Sequence, residues 1–231
     1  FRRVLFRSKE PMILSLPDAG NRYYLMQLMN AWTEVFANPG TRTTGSKKID
    51  FVITGPRWNG NLPVGMRQIK SQTDDVWIIG RIQTNGKSDF SKVHALQKKI
   101  KLTPLSAWGT DYIPPRANTL NAKIDTERSP VDQVEALSGI QFFAKMAEAM
   151  KRNPPLAQDS LMVEKMHRLG LIPGQSFDPD TLSTAFQNSL NEGAKSALTK
   201  IINAAKFQFA EKENGWAYNF NTGRYGTNYP N

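Results

Sequence analysis

Along the first hundred positions the apolar residues come in short runs, each closed by glycine, proline or asparagine. Met12–Leu16 (MILSL) stops at Pro17-Asp18-Ala19-Gly20, a turn cluster. Arg22 to Trp32 sets Tyr24, Met26 and Leu28 on one face if extended. A helix fits that spacing as well, and the close bounding turns decide for strand. Asn38-Pro39-Gly40 turns the chain again; Ile49–Thr54 alternates imperfectly before Gly55-Pro56. Met66–Lys70 and Val76–Thr84 follow, the latter ending at Asn85-Gly86. Strands this short, at this spacing, predict an antiparallel β-sandwich over 9–112. One helix interrupts them. Ser88 is its expected cap, Phe90, Val93, Leu96 and Ile100 recur at helical spacing, and Pro104 stops the run.

Past a polar linker (113–128, opening on Pro114-Pro115) the period becomes helical, and a helical module is expected over 129–212. Ser129 can cap, Pro130 suits the first helical position, and Asp132 completes a capping-box-like spacing. Val131, Val134, Phe143, Met146 and Met150 then fall near one stripe that Pro154-Pro155 ends. Asp159 to Leu169 predicts a shorter helix closed by Gly170. Asp178-Pro179 starts a long third helix carrying Leu182, Phe186, Leu190, Ala197, Ile201 and Ala205, with a kink expected at Gly193. The fold class expected is therefore α+β and multidomain, a sandwich followed by an all-α module.

Charge changes this picture only in part. The chain carries 30 Lys+Arg against 20 Asp+Glu, a formal +10. Between Lys9 and Ser129 there are 17 basic and 10 acidic residues; beyond them the signs balance at 10 and 10. The excess bears on association, not on fold. With no arginine-rich helix and no zinc-finger spacing, nucleic acid is not the expected partner. The absence of cysteine excludes disulfides, thiolate metal sites and a cysteine nucleophile within this sequence. No apolar run approaches the roughly 18 residues that span a bilayer. The opening FRRVLFRS (1–8) is what the end of a common short-read sequencing adapter encodes, so it is set aside as foreign, and an N-terminal truncation is expected.

Candidate chemistry is sparse. Gly80 to Ser88 (GRIQTNGKS) has five residues between its glycines where a phosphate loop needs four, so it reads as a turn before a capped helix. Neither His94 nor His167 has a carboxylate or second histidine at i+3 or i+4, and no metal or cofactor is expected. Asp74-Asp75 are strand neighbours that point to opposite faces and are expected to be solvated in a turn. Gly40–Gly45 (GTRTTG) offers an arginine among hydroxyls, a fork of donors for a carboxylate or sugar, though threonine is also simply a good strand residue. Gly55–Gly60 (GPRWNG) puts Trp58 in a turn, as ligand platform or as cover for the sandwich end.

Taken in order, EPMILSLPDAGNRYYLMQLMNAWTEVFANPGTRTTG, FVITGPRWNGNLPVGMRQI, VWIIGRIQTNG, VHALQ and LTPLSAWG resemble the bacterial family known as domain of unknown function 1254. PVDQVEAL, NPP and LGLIPGQSFDP resemble the helical segment of the same proteins. NGWAYNFNTGRYGTNY (within 213–231) resembles the approach to a jelly roll, domain of unknown function 1214. The resemblance implies an immunoglobulin-like sandwich, a helical middle, and a C-terminal jelly roll in cis that this sequence lacks. It also implies export to the periplasm or secretion, with the cytoplasm as the remaining alternative. It carries over no catalytic residues. Two functions follow as expectations: a ligand-binding or structural envelope protein, or a hydrolase whose active site needs the jelly roll. For the first, the expected site lies on sandwich loops holding Arg42, Thr44, Trp58, Arg81 and Asn85, for an acidic or sugar-like small ligand. An exposed apolar patch is expected around Trp216, Tyr218, Phe220 and Tyr225.

Overall fold

From Tyr24 to Asn30 every second residue is buried and the residues between are half-exposed, the pattern of a strand with one face on a core. The computed structural model describes residues 2–5, 10–114, 125, 127–207, 212–214 and 216–217. The chain divides into two compact units, Phe1–Arg116 and Ala117–Asn231.

The first unit is built from β1 (Arg2–Leu5), β2 (Met12–Leu16), β3 (Tyr24–Asn30), β4 (Val35–Ala37), β5 (Ile49–Thr54), β6 (Arg67–Lys70), β7 (Asp75–Ile82), α1 (Phe90–Lys99) and β8 (Lys101–Pro104). The strands form two four-stranded sheets, ordered β1-β7-β3-β4 and β6-β5-β2-β8. Leu14, Leu16, Phe51 and Ile53 of the β2 sheet share one core with Tyr24, Met26, Leu28, Val76 and Ile78 of the β3 sheet. The two sheets therefore pack face to face.

Sequence reading placed β2 and β5 at their observed bounds and β3, β6 and β7 within two residues of theirs. Three expectations change. The sheets are not wholly antiparallel: β6 runs parallel to β5, because the connection 55–66 is long enough to carry the chain back before it pairs. Ser88 does not cap α1. It sits inside a 3-10 turn (Lys87–Asp89) before α1, which follows Gly86 at φ +94°. The chain beyond α1 is also strand: Ile100 is extended (ψ 117°) and β8 pairs with β2. Arg2–Leu5, within the segment read as foreign, pairs with Asp75–Ile78 at the sheet edge. An open edge accepts any extended backbone.

The second unit comprises α2 (Pro130–Glu135), α3 (Gly139–Arg152), α4 (Ser160–Arg168), α5 (Thr184–Phe207) and a short hairpin of β9 (Lys212–Glu213) and β10 (Trp216–Ala217). Ser129 caps α2 as expected, accepting from the Asp132 N–H at 3.2 Å, with Pro130 in the first turn. The single stripe expected through Val131 to Met150 is broken, because Ser138 opens a second helix. Its hydroxyl accepts from the Gln141 N–H and the Gln141 side chain accepts from the Ser138 N–H, a capping box. Val131 and Val134 are accordingly exposed, while Met150 is buried. Gly170 (φ +77°) closes α4, with the Leu171 N–H bonded to the Met166 carbonyl. Ala147, Leu171, Phe177 and Leu190 form the core of this unit. α3 crosses α5 at Gly139, where a Cβ would lie 2.6 Å from the Leu190 carbonyl oxygen. α5 runs unbroken through Gly193. Trp216 is 74% exposed; Tyr218, Phe220 and Tyr225, the other members of the expected patch, lie outside the described residues.

Candidate functional site

Pairing register decides what shares a face. In the β2 sheet Ser15 pairs with Asp50 on one side and Lys101 on the other; one row along, Ile13 pairs with Val52 and Thr103. These two rows form the outer face, since the intervening residues Leu14, Phe51 and Leu102 face the core. Adjacent strands lie about 4.8 Å apart, so Asp50 and Lys101 stand about 10 Å apart across β2.

Past β8 the ladder with β2 continues for two more residues, and the chain then comes back against this face, with Trp108 to Ile113 near Ser15 and Asp50. The Leu105 N–H bonds the Pro11 carbonyl at 2.9 Å and the Ser106 N–H bonds the Glu10 carboxylate at 3.1 Å. Between this returning segment and the sheet lies a groove of about 760 Å³. Ser15, Asp50, Lys101 and Thr103 line its sheet side, Trp108 to Ile113 its wall, and Lys48 and Lys99 its rim. Asp50 Oδ1 is enclosed and accepts no hydrogen bond from the protein. Asp18, also at the rim, is already engaged. Its carboxyl is held below the ordinary aspartate value, first by the Gly20 N–H and then by Lys47. Among the described residues no ion pair holds Lys48, Lys99 or Lys101.

The five residues expected to form the site fall in different places. The α1 end of the sandwich carries Arg42, Thr44 and Asn85. Arg42 lies 5.5 Å above the Tyr23 ring. The Thr44 hydroxyl is spent on its own loop, accepting from the Gly40 N–H at 3.1 Å. Asn85 Oδ1 accepts from Gln83 Nε2 at 3.4 Å, and the Gln83 N–H bonds the Tyr23 carbonyl. Arg81 is on the outer face of the β3 sheet, donating to Gln27 Oε1 at 2.7 Å. Trp58 follows β5 at the opposite end, its indole so close to Gly60 that a Cβ there would lie 2.8 Å away. At about 3.3 Å per residue, the strands separate the two ends by about 20 Å. Arg42 and Asn85 are brought to one end; Trp58 is not.

A second feature of the α1 end is a clamp. Arg22 grips Asp89 through two bonds, Nη1 to Oδ2 at 2.6 Å and Nη2 to Oδ1 at 2.7 Å, and also reaches the Gln83 carbonyl. The Arg22 bonds first, and then the Asn85 N–H, lower the Asp89 carboxyl to about 2. This fork fixes the start of α1 to the start of β3. Asp74 and Asp75 are buried (2% and 4% exposed), against the expected turn solvation, and Asp74 is paired with Arg57.

Residues 5–104 match the model of a family described as protein of unknown function, DUF1254. The match covers 100 of the chain's 231 residues. The chain is also similar to the crystal structure of the VPA0106 protein from Vibrio parahaemolyticus, at 18% identity and a TM-score of 0.67. The likeness covers 89% of this chain and 48% of that one, so this chain spans about half the length of the protein it resembles. At that identity the likeness speaks for the fold alone. No curated protein matches the chain.

The groove is not legible in the sequence, for identifiable reasons. Asp50 was visible only as an interruption in a strand. Lys101 lies between Ile100 and Pro104, inside the stretch whose spacing predicts a helix, and the row Asp50–Ser15–Lys101 joins three strands far apart in the chain. The one available signal was Trp108 and Tyr112, two aromatics just past the last strand. Among the described residues no group of three or more histidine and acidic side chains is placed to hold a metal ion, and no helix is long and apolar enough to cross a membrane.

Proposed function

We propose that this sandwich is a ligand-binding module that takes an acidic, sugar-like small molecule in the groove over the β2 sheet. The observation that carries the reading is Asp50. An enclosed carboxylate oxygen without a donor costs on the order of 1–3 kcal/mol, and a ligand hydroxyl would offset that cost. Lys48, Lys99 and Lys101 supply unengaged cations for an acidic group, while Trp108 and Tyr112 supply flat faces for a sugar ring. None of Arg42, Thr44, Trp58, Arg81 and Asn85 lines this groove, so the reading moves the site from the loops to the sheet face. Two facing sheets also favour an immunoglobulin-like description, with the parallel β5–β6 pair as its departure. The periplasm or the cell exterior is the proposed compartment, on the family resemblance.

Calorimetric titration with trigalacturonate, and with maltotriose as its neutral counterpart, tests the reading. Trigalacturonate is expected to bind more tightly. Asp50→Asn is expected to weaken both ligands about tenfold, and Lys101→Met to remove the preference for the acid. Equal affinity of the acidic and neutral sugars, or an unchanged affinity in Asp50→Asn, would overturn it.

A further inference from the structure

An antiparallel sheet with one face in water reads apolar inward and polar outward, yet the outer face of the β3 sheet is largely apolar. The β3–β7 register sets it out in three rows: Met29 beside Trp77, Gln27 beside Ile79, and Leu25 beside Arg81. Val35 of β4 extends the first row. Trp77 is 44% exposed and Arg81 is exposed, while the others are half-buried. Val76 to Ile79 is accordingly an unbroken apolar run, the pattern of a strand covered on both faces. The two ends of this face differ. Trp77 presents an indole at one end. Arg81 presents a guanidinium at the other, with Nη1 donating to Gln27 Oε1 in the centre row at 2.7 Å. The rows hold one cation and no carboxylate.

We infer that this face is an interface with a second copy of the same chain, the two β3 sheets packing face to face with their strands antiparallel. The order of the rows selects the occupant. A two-fold axis between the sheets, along the Gln27–Ile79 row, brings Trp77 of each copy over Arg81 of the other, so the surface is complementary to itself. Each guanidinium then lies on an indole, the best aromatic partner for a cation, and Met29 meets Leu25. The same symmetry keeps the two guanidiniums about 13 Å apart. An axis parallel to the strands would leave them level with each other and give Trp77 no cation. Three strands about 4.8 Å apart, the central one seven residues long, cover only about 14 by 23 Å. That area belongs to the small, transient class of contacts, with a dissociation constant on the order of 100 µM. The groove over each β2 sheet lies on the far side of its sandwich and stays open in the pair.

Sedimentation equilibrium of the chain from about 5 to about 500 µM reads the association, and the wild type is expected to move from monomer toward dimer across that range. Trp77→Lys sets an ammonium against the guanidinium, and Arg81→Glu sets a carboxylate against the indole face. Each variant alone is expected to weaken association about tenfold or more. Both positions are exposed, and unchanged circular dichroism checks that the variants fold. Mixing the two variants in equal amounts tests the register itself. In the mixed pair the introduced ammonium meets the introduced carboxylate, while the remaining Trp77 still meets the remaining Arg81. The mixture is expected to associate at least as tightly as the wild type. The inference is overturned if the wild type stays monomeric to about 500 µM, as it would were this face reserved for a different protein. It is equally overturned if either variant associates like the wild type, or if the mixture stays as weak as its components.

Discussion

On the outer face of the β3 sheet Trp77 stands 44% exposed, with Met29 half-buried opposite it and Leu25 half-buried further along the same face. On the outer face of the β2 sheet Ile13 and Val52 are completely buried. The two sheets pack on the same core and are similar in strand number, so the difference arises outside them. After β8 the chain comes back against the β2 sheet, with Trp108 to Ile113 beside Ser15, Asp50 and Thr103. Covering one outer face creates a two-sided sheet, and with it the groove between sheet and cover. The β3 sheet, left open, keeps a plain inside and outside.

The contrast makes graded predictions for stability, read from urea unfolding with spectroscopic checks of the native fold. The largest effect is expected from Ile13→Ala, at about 2–5 kcal/mol, because this outer-face residue is as buried as a core residue. A loss below about 1 kcal/mol would show that the cover is loose. Gly40→Ala is expected to cost roughly 1–3 kcal/mol, since its Cβ would lie 2.6 Å from the Tyr24 carbonyl oxygen, a backbone atom that cannot rotate away. Leu25→Ala, the open-face counterpart of Ile13, is expected to cost about 1 kcal/mol or less. If it matches Ile13→Ala, the two faces are not different in kind.

The last prediction is confined to acid. The folded Asp89 carboxyl lies near 2, below its ordinary value of 3.8, because Arg22 and then the Asn85 N–H favour its charged form. Its contribution to stability is therefore complete above the ordinary value and is lost as pH falls from about 4 through about 2. Asp89→Asn should flatten that part of the pH profile and leave the neutral end level. Superimposable wild-type and variant slopes between pH 4 and 2 would contradict the clamp.

The same comparison explains how much could be read from sequence. β3 was legible because Tyr24, Met26, Leu28 and Asn30 alternate with half-exposed neighbours. β5 was found, but its four consecutive buried residues, Phe51 to Thr54, hid which face was inward. β8 was missed because Ile100 continues the spacing of Val93 and Leu96, and Pro104 then looked like a helix stop. β4 has three residues and too little pattern to read. In the second half the Ser129 cap was visible, whereas the Ser138 cap was hidden inside an apparently continuous stripe. The candidate site was least legible of all. Loop motifs such as GTRTTG announce themselves in sequence, yet their hydroxyls turn out to close the loop: Thr41 accepts from the Tyr24 N–H, and Thr43 and Thr44 bond Asn38 and Gly40. A row that runs across three strands has no sequence motif.

The most direct measurement is amide chemical-shift mapping of the labelled chain during titration with trigalacturonate. The account predicts shifts clustered on Ser15, Asp50, Lys101 and the stretch from Trp108 to Tyr112, with Trp77, Ile79 and Arg81 on the open face unmoved. Shifts gathered on the open face, or none anywhere, would contradict it.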